Sequence, residues 1–288
     1  IPDMKIVRFF PYKVNPSYGS YDDLEEEVSD LMASQIKLLN AKTKIAMSLT
    51  AGMDSRLSLA ASKDICADID YFTFLTKNAS HIEDAKIAQQ ICTENDLKHN
   101  LYQWDNNKNS EGLKEFEYIW ERNLGIRRGI LWLNKLYIDS FPKDRIHLRS
   151  NIAEVVKCDS YDSEKCEPLS AQQLANLYTH TLMKNDDKVL RKFSEFINIT
   201  DFTQNNMYNY DYRDLFEWEY KMCLWHSWLL LESDVSHDTF LLYNNREILS
   251  KMLSLPYQDR ADKKIFIGMI KRLWPDLLKY PINKKIYI

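Results

Sequence analysis

Two short strand-like runs rich in apolar residues, "KTKIAMSLT" at 42–50 and "IDYFTFLT" at 69–76, and a short strand stretch, "KHNLYQW" at 98–104, are separated by two helical patterns. Runs of that length with polar borders suit buried strands. Between them, "DSRLSLAASKD" and "HIEDAKIAQQICTEN" carry apolar residues at helical spacing, in the second case Ile82, Ala85, Ile87, Ala88 and Ile91. Strand, helix, strand, helix, strand within so few residues leaves one economical solution, parallel strands joined by right-handed crossovers. The pattern predicts an α/β fold with a parallel twisted sheet flanked by helices.

The rest of the chain fills in around that unit. Residues 22–40 place Leu24, Val28, Leu31, Met32, Ile36 and Leu39 on one helical face, with acidic residues in the first turn where the helix dipole favours them. "NNKNSEG" at 106–112 reads as a surface loop, 113–138 as a helix, and "RIHLRS" at 145–150 as another strand leading into "NIAEVVK". From about 170 onward the pattern is mainly helical, through "SAQQLANLYTHTLM", "DLFEWEYKMCLWHSWLLLES", "NREILSKMLSLP" and "KKIFIGMIKRLWPDLL". The expected organisation is one unit over 1–288, with an α/β core at about 20–160 and an α-rich portion at about 165–288.

Composition removes several classes of function. With 288 residues, 45% of them hydrophobic, the chain can bury a substantial core. Lys and Arg number 38 against 42 Asp and Glu, spread without long single-sign blocks, which argues against a broad nucleic-acid surface. The apolar stretches "ILWLNKLYI" and "MCLWHSWLLL" fall short of the roughly 20 residues that span a bilayer. No secretory leader is visible, so the expectation is a soluble cytoplasmic protein with no membrane partner. Cys66, Cys92, Cys158, Cys166 and Cys223 form an odd set without a Cys-x-x-Cys pair, and the six histidines lack metal-ligand spacing. The chain opens at Ile1 with "IPDMKIVRFFPY", as expected of a piece of a longer polypeptide.

"KIAMSLTAGMDSRLSLAAS", at 44–62, joins the first strand to its helix through Thr50-Ala51-Gly52-Met53-Asp54-Ser55. In an open parallel sheet, ligands sit where such turns feed helix N-termini. Gly52, one of only six glycines, permits a positive φ and close approach of an anion. Thr50 and Ser55 offer hydroxyls to phosphate oxygens, and Asp54 offers a carboxylate to a divalent cation. The same residues also suit a tight turn and a plain helix N-cap.

"SLTAGMDSR" resembles the Ser-Gly-Gly-x-Asp-Ser loop of the PP-loop ATP pyrophosphatases, and Arg56 makes it most similar to the C-terminal synthetase domain of the asparagine synthetases. Two further stretches resemble that family in the right order: "YFTFLTKNASHIEDAKIAQQICTENDLKH" and "LLYNNREILSKMLSLPYQDRADKKIFIGMIKRLWPDLLKYPIN". The resemblance implies an adenine nucleotide α-hydrolase-like fold that binds ATP and Mg²⁺. It implies that Ser48, Leu49, Thr50, Ala51, Gly52, Met53, Asp54, Ser55 and Arg56 cradle the nucleotide, joined by Thr73, Phe74 and Ser150. The chemistry implied is adenylation of a small-molecule carboxylate with release of pyrophosphate, followed by attack of an amine. A glutaminase-type N-terminal domain or partner chain is the partner that the family implies.

The chain departs from the family at Thr50 and Ala51, which stand where Ser and the first Gly are usual; the Ala methyl is expected to narrow the loop. In place of a Gly-rich acidic stretch it has "LRSNIAEVVK", so Glu154 joins Asp54 as the expected metal ligands. Glu154 also fits a solvated helix start capped near Ser150 or Asn151. The resemblance implies cationic help at the α-phosphate from Lys284 or Lys285 in "YPINKKIYI", and it places Arg246 in "YNNREIL" at a turn lining the site. A solvated tail and a helix cap are the ordinary roles for these three. Trp218, Tyr220, Trp225 and Trp228 have the spacing of a packed helix face more than of a substrate pocket. The expected function is an ATP-dependent amide-forming synthetase; the alternative is a degenerate member that binds a nucleotide or a partner without turnover.

Overall fold

The computed structural model describes residues 6–15, 17–75, 79–124 and 131–283. Five strands, β1 (Lys44–Ser48), β2 (Asp70–Leu75), β3 (His99–Gln103), β4 (Arg145–Arg149) and β5 (Thr239–Leu241), form one sheet in the order β3-β2-β1-β4-β5. Every pairing is parallel, with Ala46 opposite Asp70 on one side and His147 on the other. Ile45, Ala46 and Met47 are all buried, the continuous apolar run of a strand covered on both faces. The predicted α/β class is the one observed.

Helices α1 (Tyr21–Asn40), α2 (Met53–Ala61) and α3 (Ala79–Glu94) cover one face, together with the helix Lys264–Leu273. Ser20 caps α1 by accepting the Asp23 N–H at 3.1 Å, and the buried stripe Leu24, Val28, Met32, Ile36 packs against the sheet and Lys264–Leu273. On the other face, Phe72, Tyr102 and His147 of the strands meet Leu136, Tyr137 and Phe141. The chain runs outward from β1 to β3 and then crosses to the far side of β1 to make β4. The carboxyl ends of β1 and β4 therefore diverge into a crevice, the switch point of a doubly wound sheet.

Two expectations change. Residues 113–138 are two helices, Leu113–Leu124 and Leu131–Ser140, not one; residues 125–130 lie outside the described set. The α-rich portion also holds a strand that the pattern did not predict: β5 pairs with β4, and Leu249, Phe266, Leu277 and Ile282 share one core with Leu24, Met47 and Leu57. A strand of three residues within "DTFLLYNN" is too short to separate from helical surroundings by pattern alone. A smaller cluster around Leu174, Phe193, Phe202 and Phe216 ties down residues 170–220. The five cysteines are free, and among the described residues no helix is long and apolar enough to cross a membrane.

Beneath the second face lies a group of neutral histidines. His147 Nδ1 and His237 Nε2 are 3.2 Å apart, His237 stacks on Phe141, and both ring nitrogens of the buried His226 lack a partner among the described residues. Burial, with the Arg149 charge adding to it, pushes His226 down to about 4 and His237 to about 3. A histidine whose folded pKa is depressed stabilises the fold above its unfolded value near 6.5 and loses that contribution as pH falls. The slope is at most about 1.4 kcal/mol per pH unit for each group. Urea unfolding between pH 6.5 and 4 should therefore show a shallower loss of stability in His226→Gln than in the parent protein; parallel profiles would contradict neutral burial of this ring.

Candidate functional site

The first half of the site is the turn from β1 into α2. Leu49 is buried, donates its N–H to the Phe72 carbonyl at 2.9 Å, and has its own carbonyl held by Thr73 Oγ1 at 2.6 Å. Thr73 Oγ1 also meets His99 Nε2 at 2.9 Å, so this hydroxyl is engaged in fixing the turn. Thr50 N–H donates to Ser55 Oγ (3.2 Å), Gly52 N–H donates to Thr50 Oγ1 (3.1 Å), and the two hydroxyls lie 3.0 Å apart. Ala51 N–H donates to Asp84 Oδ1 of α3 at 3.2 Å.

Gly52 caps α2 with φ −68° and no side-chain cap. It serves crowding, not a left-handed turn: a Cβ there would sit 3.0 Å from Thr50 Oγ1. Ala51 has no positive φ and its methyl is packed in the core at 2% exposure, so it does not intrude on the ligand side of the loop. The amides of Met53, Asp54 and Ser55 have no acceptor among the described residues. Three free N–H groups at the start of a helix, with the dipole behind them, form an anion seat.

The second half comes from the end of β4. Ser150 Oγ meets Ser58 Oγ of α2 at 2.7 Å, which ties the two loops together. Ile152 then takes φ +79°, a conformation costly for a β-branched residue, by about 1–3 kcal/mol, and leads into the 3-10 turn Ala153–Val155 that carries Glu154. Lys157 follows, with Nζ 2.8 Å from Asp54 Oδ2 and 3.5 Å from Asp159 Oδ2. Asp54 Oδ1 and Glu154 Oε2 are buried and have no hydrogen-bond partner among the described residues. The Asp54 carbonyl is fixed by Tyr243 Oη at 3.0 Å and Ser58 Oγ at 3.1 Å.

Burial raises the Asp54 carboxyl above its ordinary value; Lys157 opposes the rise, while Glu154 and Asp159 add to it. Burial works to lower Lys157, yet Asp54, Glu154 and Asp159 hold its ammonium above the usual lysine value. Three carboxylates around one ammonium leave an excess of negative charge. Asp54 Oδ1 and Glu154 Oε2 are hard oxygen donors that suit Mg²⁺. Among the described residues no three His, Cys, Asp or Glu side chains converge as a complete ligand set, so such an ion would complete its shell with water and phosphate oxygens.

The sequence-predicted residues thus divide. Asp54, Glu154, Ser150, Thr50, Gly52 and Ser55 meet at the switch point, with Ser48 at the end of β1 leading in. Leu49 and Met53 are core residues, and Phe74 packs edge-on against Tyr137 at 4.6 Å. Arg56 does not face a ligand: it is fully buried and donates to the carbonyls of Leu277 (2.7 Å), Pro281 (2.9 Å), Tyr280 (3.3 Å) and Ala51 (3.5 Å). Arg246 lies over the rings of Phe9 and Phe10 in a groove of about 710 Å³ that no residue of the 48–56 stretch lines. Lys284 and Lys285 lie outside the described residues; the preceding Asn283 donates its N–H to the Ala51 carbonyl at 3.3 Å. Sequence reasoning missed Lys157, Asp159 and Asp84. The one available signal was Glu154 and Lys157 three residues apart in "EVVK".

No protein-family model matches the chain, and no curated protein matches it. Among solved structures it is similar to an NH3-dependent NAD synthetase from Campylobacter jejuni in complex with nitrate, at 13% identity and TM-score 0.31, over 86% of this chain and 96% of that one. It is similar to an NMN synthetase from Francisella tularensis at 8% identity and TM-score 0.31, over 86% and 95% of the two chains. A glutamine-dependent NAD+ synthetase from Acinetobacter baumannii in complex with ADP gives 10% and 0.29, over 95% of this chain and 52% of that one. None of these three is an asparagine synthetase, and likenesses this distant leave the site to be argued from its own geometry.

The Arg56 contacts carry their own test. Arg56→Met removes the donor shared by four buried carbonyls and should cost about 2–4 kcal/mol in urea unfolding, with earlier proteolysis in the segment after Trp274. Unchanged stability would show that the segment is held by its apolar contacts alone.

Proposed function

We propose that the chain is an ATP-dependent amide-forming synthetase whose chemistry takes place between β1 and β4. The observation that carries this reading is the pairing of three unpartnered amides at Met53–Ser55 with two orphaned carboxylate oxygens, on Asp54 and Glu154. Free amides suit phosphate oxygens, and carboxylates beside them suit a divalent ion bridging to those oxygens. The resemblance of "SLTAGMDSR" to the asparagine synthetase branch of the PP-loop ATP pyrophosphatases supports the same reading.

Under this reading the amides and the Thr50 and Ser55 hydroxyls hold the pyrophosphate portion of ATP in place. Asp54 and Glu154 would hold Mg²⁺, which when bound supplies Lewis-acid stabilisation of developing phosphate charge. A substrate carboxylate oxygen bonds to the α-phosphorus as the bond to pyrophosphate breaks, and an amine then attacks the acyl carbon and releases AMP. The acyl and amine substrates are small molecules, and a glutaminase-type domain or partner chain would supply the amine as ammonia. Lys284, Lys285 and Arg246 are carried into this proposal only as candidates for the cation at the α-phosphate.

One observation favours nucleotide binding without turnover: an ammonium already occupies Asp54 Oδ2, where a catalytic ion would need access. Carboxylate-dependent exchange of labelled pyrophosphate into ATP separates the two readings. Exchange is expected in the parent protein, and Asp54→Asn should lower it at least about 100-fold, more than the loss of an outer-shell partner of a metal would. Absence of exchange with any panel carboxylate, while an ATP analogue still binds, would favour the binding-only reading.

A further inference from the structure

We infer that Lys157 is a mobile counter-ion that holds Asp54 until a polyphosphate draws it away, so that divalent metal binds only after the nucleotide. The inference rests on the reading of the site as an ATP and Mg²⁺ site. The ammonium lies 2.8 Å from Asp54 Oδ2, and both side chains are largely buried, with 13% and 20% of their surface exposed. A cation held that close in a site poor in water opposes the arrival of a second one on the same carboxylate. It does not satisfy the site, because Asp54 Oδ1 and Glu154 Oε2 stay buried without partners among the described residues. Lys157 therefore blocks the metal position and leaves it charged for a metal.

The release follows from where the anion seat lies. The free amides belong to Met53, Asp54 and Ser55, so a polyphosphate seated on them sits within a side-chain length of the Asp54 carboxylate and of the ammonium on it. The Lys157 backbone is fixed, its N–H donating to the Glu154 carbonyl at 3.1 Å, while its flexible four-carbon stem lets the head group turn. Charge-assisted bonds to phosphate oxygens replace the bond to Asp54, and both oxygens of that carboxylate become open to metal. Lys157 then neutralises phosphate charge, a task for which the family resemblance offers Lys284, Lys285 or Arg246. Ordered binding of this kind keeps metal out of the site when no nucleotide is present.

Mn²⁺ serves as the probe, with free Mn²⁺ read by electron paramagnetic resonance, in the full chain with and without non-cleavable α,β-methylene-ATP. The parent protein should bind Mn²⁺ weakly alone and at least about tenfold more tightly with the analogue. Lys157→Met should bind Mn²⁺ alone about tenfold more tightly than the parent and gain less from the analogue. Lys157→Gln, with circular dichroism to verify folding, should behave in the same way. Equal Mn²⁺ affinity of parent and both variants without the analogue overturns the inference and leaves the site's reading standing. Failure of Asp54→Asn to change Mn²⁺ binding under any condition overturns both.

Discussion

A guanidinium shut away from water must find its acceptors inside the protein, and Arg56 finds them in the carbonyls of Leu277, Tyr280, Pro281 and Ala51. Burial lowers this group to about 10, which leaves it charged at neutral pH. The charge binds three parts of the chain at once: the first turn of α2, the loop before it, and the segment that follows Trp274. Asn283 adds a bond from its N–H to Ala51, so the loop is closed from behind by residues more than two hundred positions away in sequence. With its back fixed in this way, the loop can leave the amides of Met53–Ser55 open at its front.

The tension at the switch point is electrostatic. A buried carboxylate gains from a close ammonium only if its remaining lone pairs are also met, and here Oδ1 of Asp54 is not. The Glu154 carboxylate is brought alongside by a turn that begins with Ile152 in a left-handed conformation. Backbone strain and an unmet carboxylate oxygen fall within the same few residues, a combination that the proposed ligand site would account for.

Much of the fold was legible because it rests on periodicity. The alternation of "KIAMS" and "DYFTFL" with helical stretches forces a parallel sheet, and α1 follows from its apolar stripe and the acidic residues of its first turn. β5 was not legible, since three residues carry no period and the strand exists only by pairing with β4. Of the residues expected at the site, Asp54, Glu154 and Ser150 are brought together after the first and fourth strands, where residue type and position after a strand agree. Arg56 was misread because a local motif does not tell which way a long side chain turns, and its acceptors are long-range in sequence. The Ala51 methyl, expected to crowd the loop, instead enters the core, since nothing in the tripeptide says which side of it faces a ligand. Lys157 escaped notice for a similar reason: its partner lies 103 positions away.

The account depends on phosphate and metal meeting at one place, between the start of α2 and the turn after β4. Anomalous diffraction at the manganese edge, from crystals grown with Mn²⁺ and α,β-methylene-ATP, measures this directly. The account predicts one metal peak between the carboxylates of Asp54 and Glu154, with phosphate oxygens on the amides of Met53, Asp54 and Ser55. Phosphates seated elsewhere, or metal bound away from Asp54 with Lys157 still on its carboxylate, would contradict it.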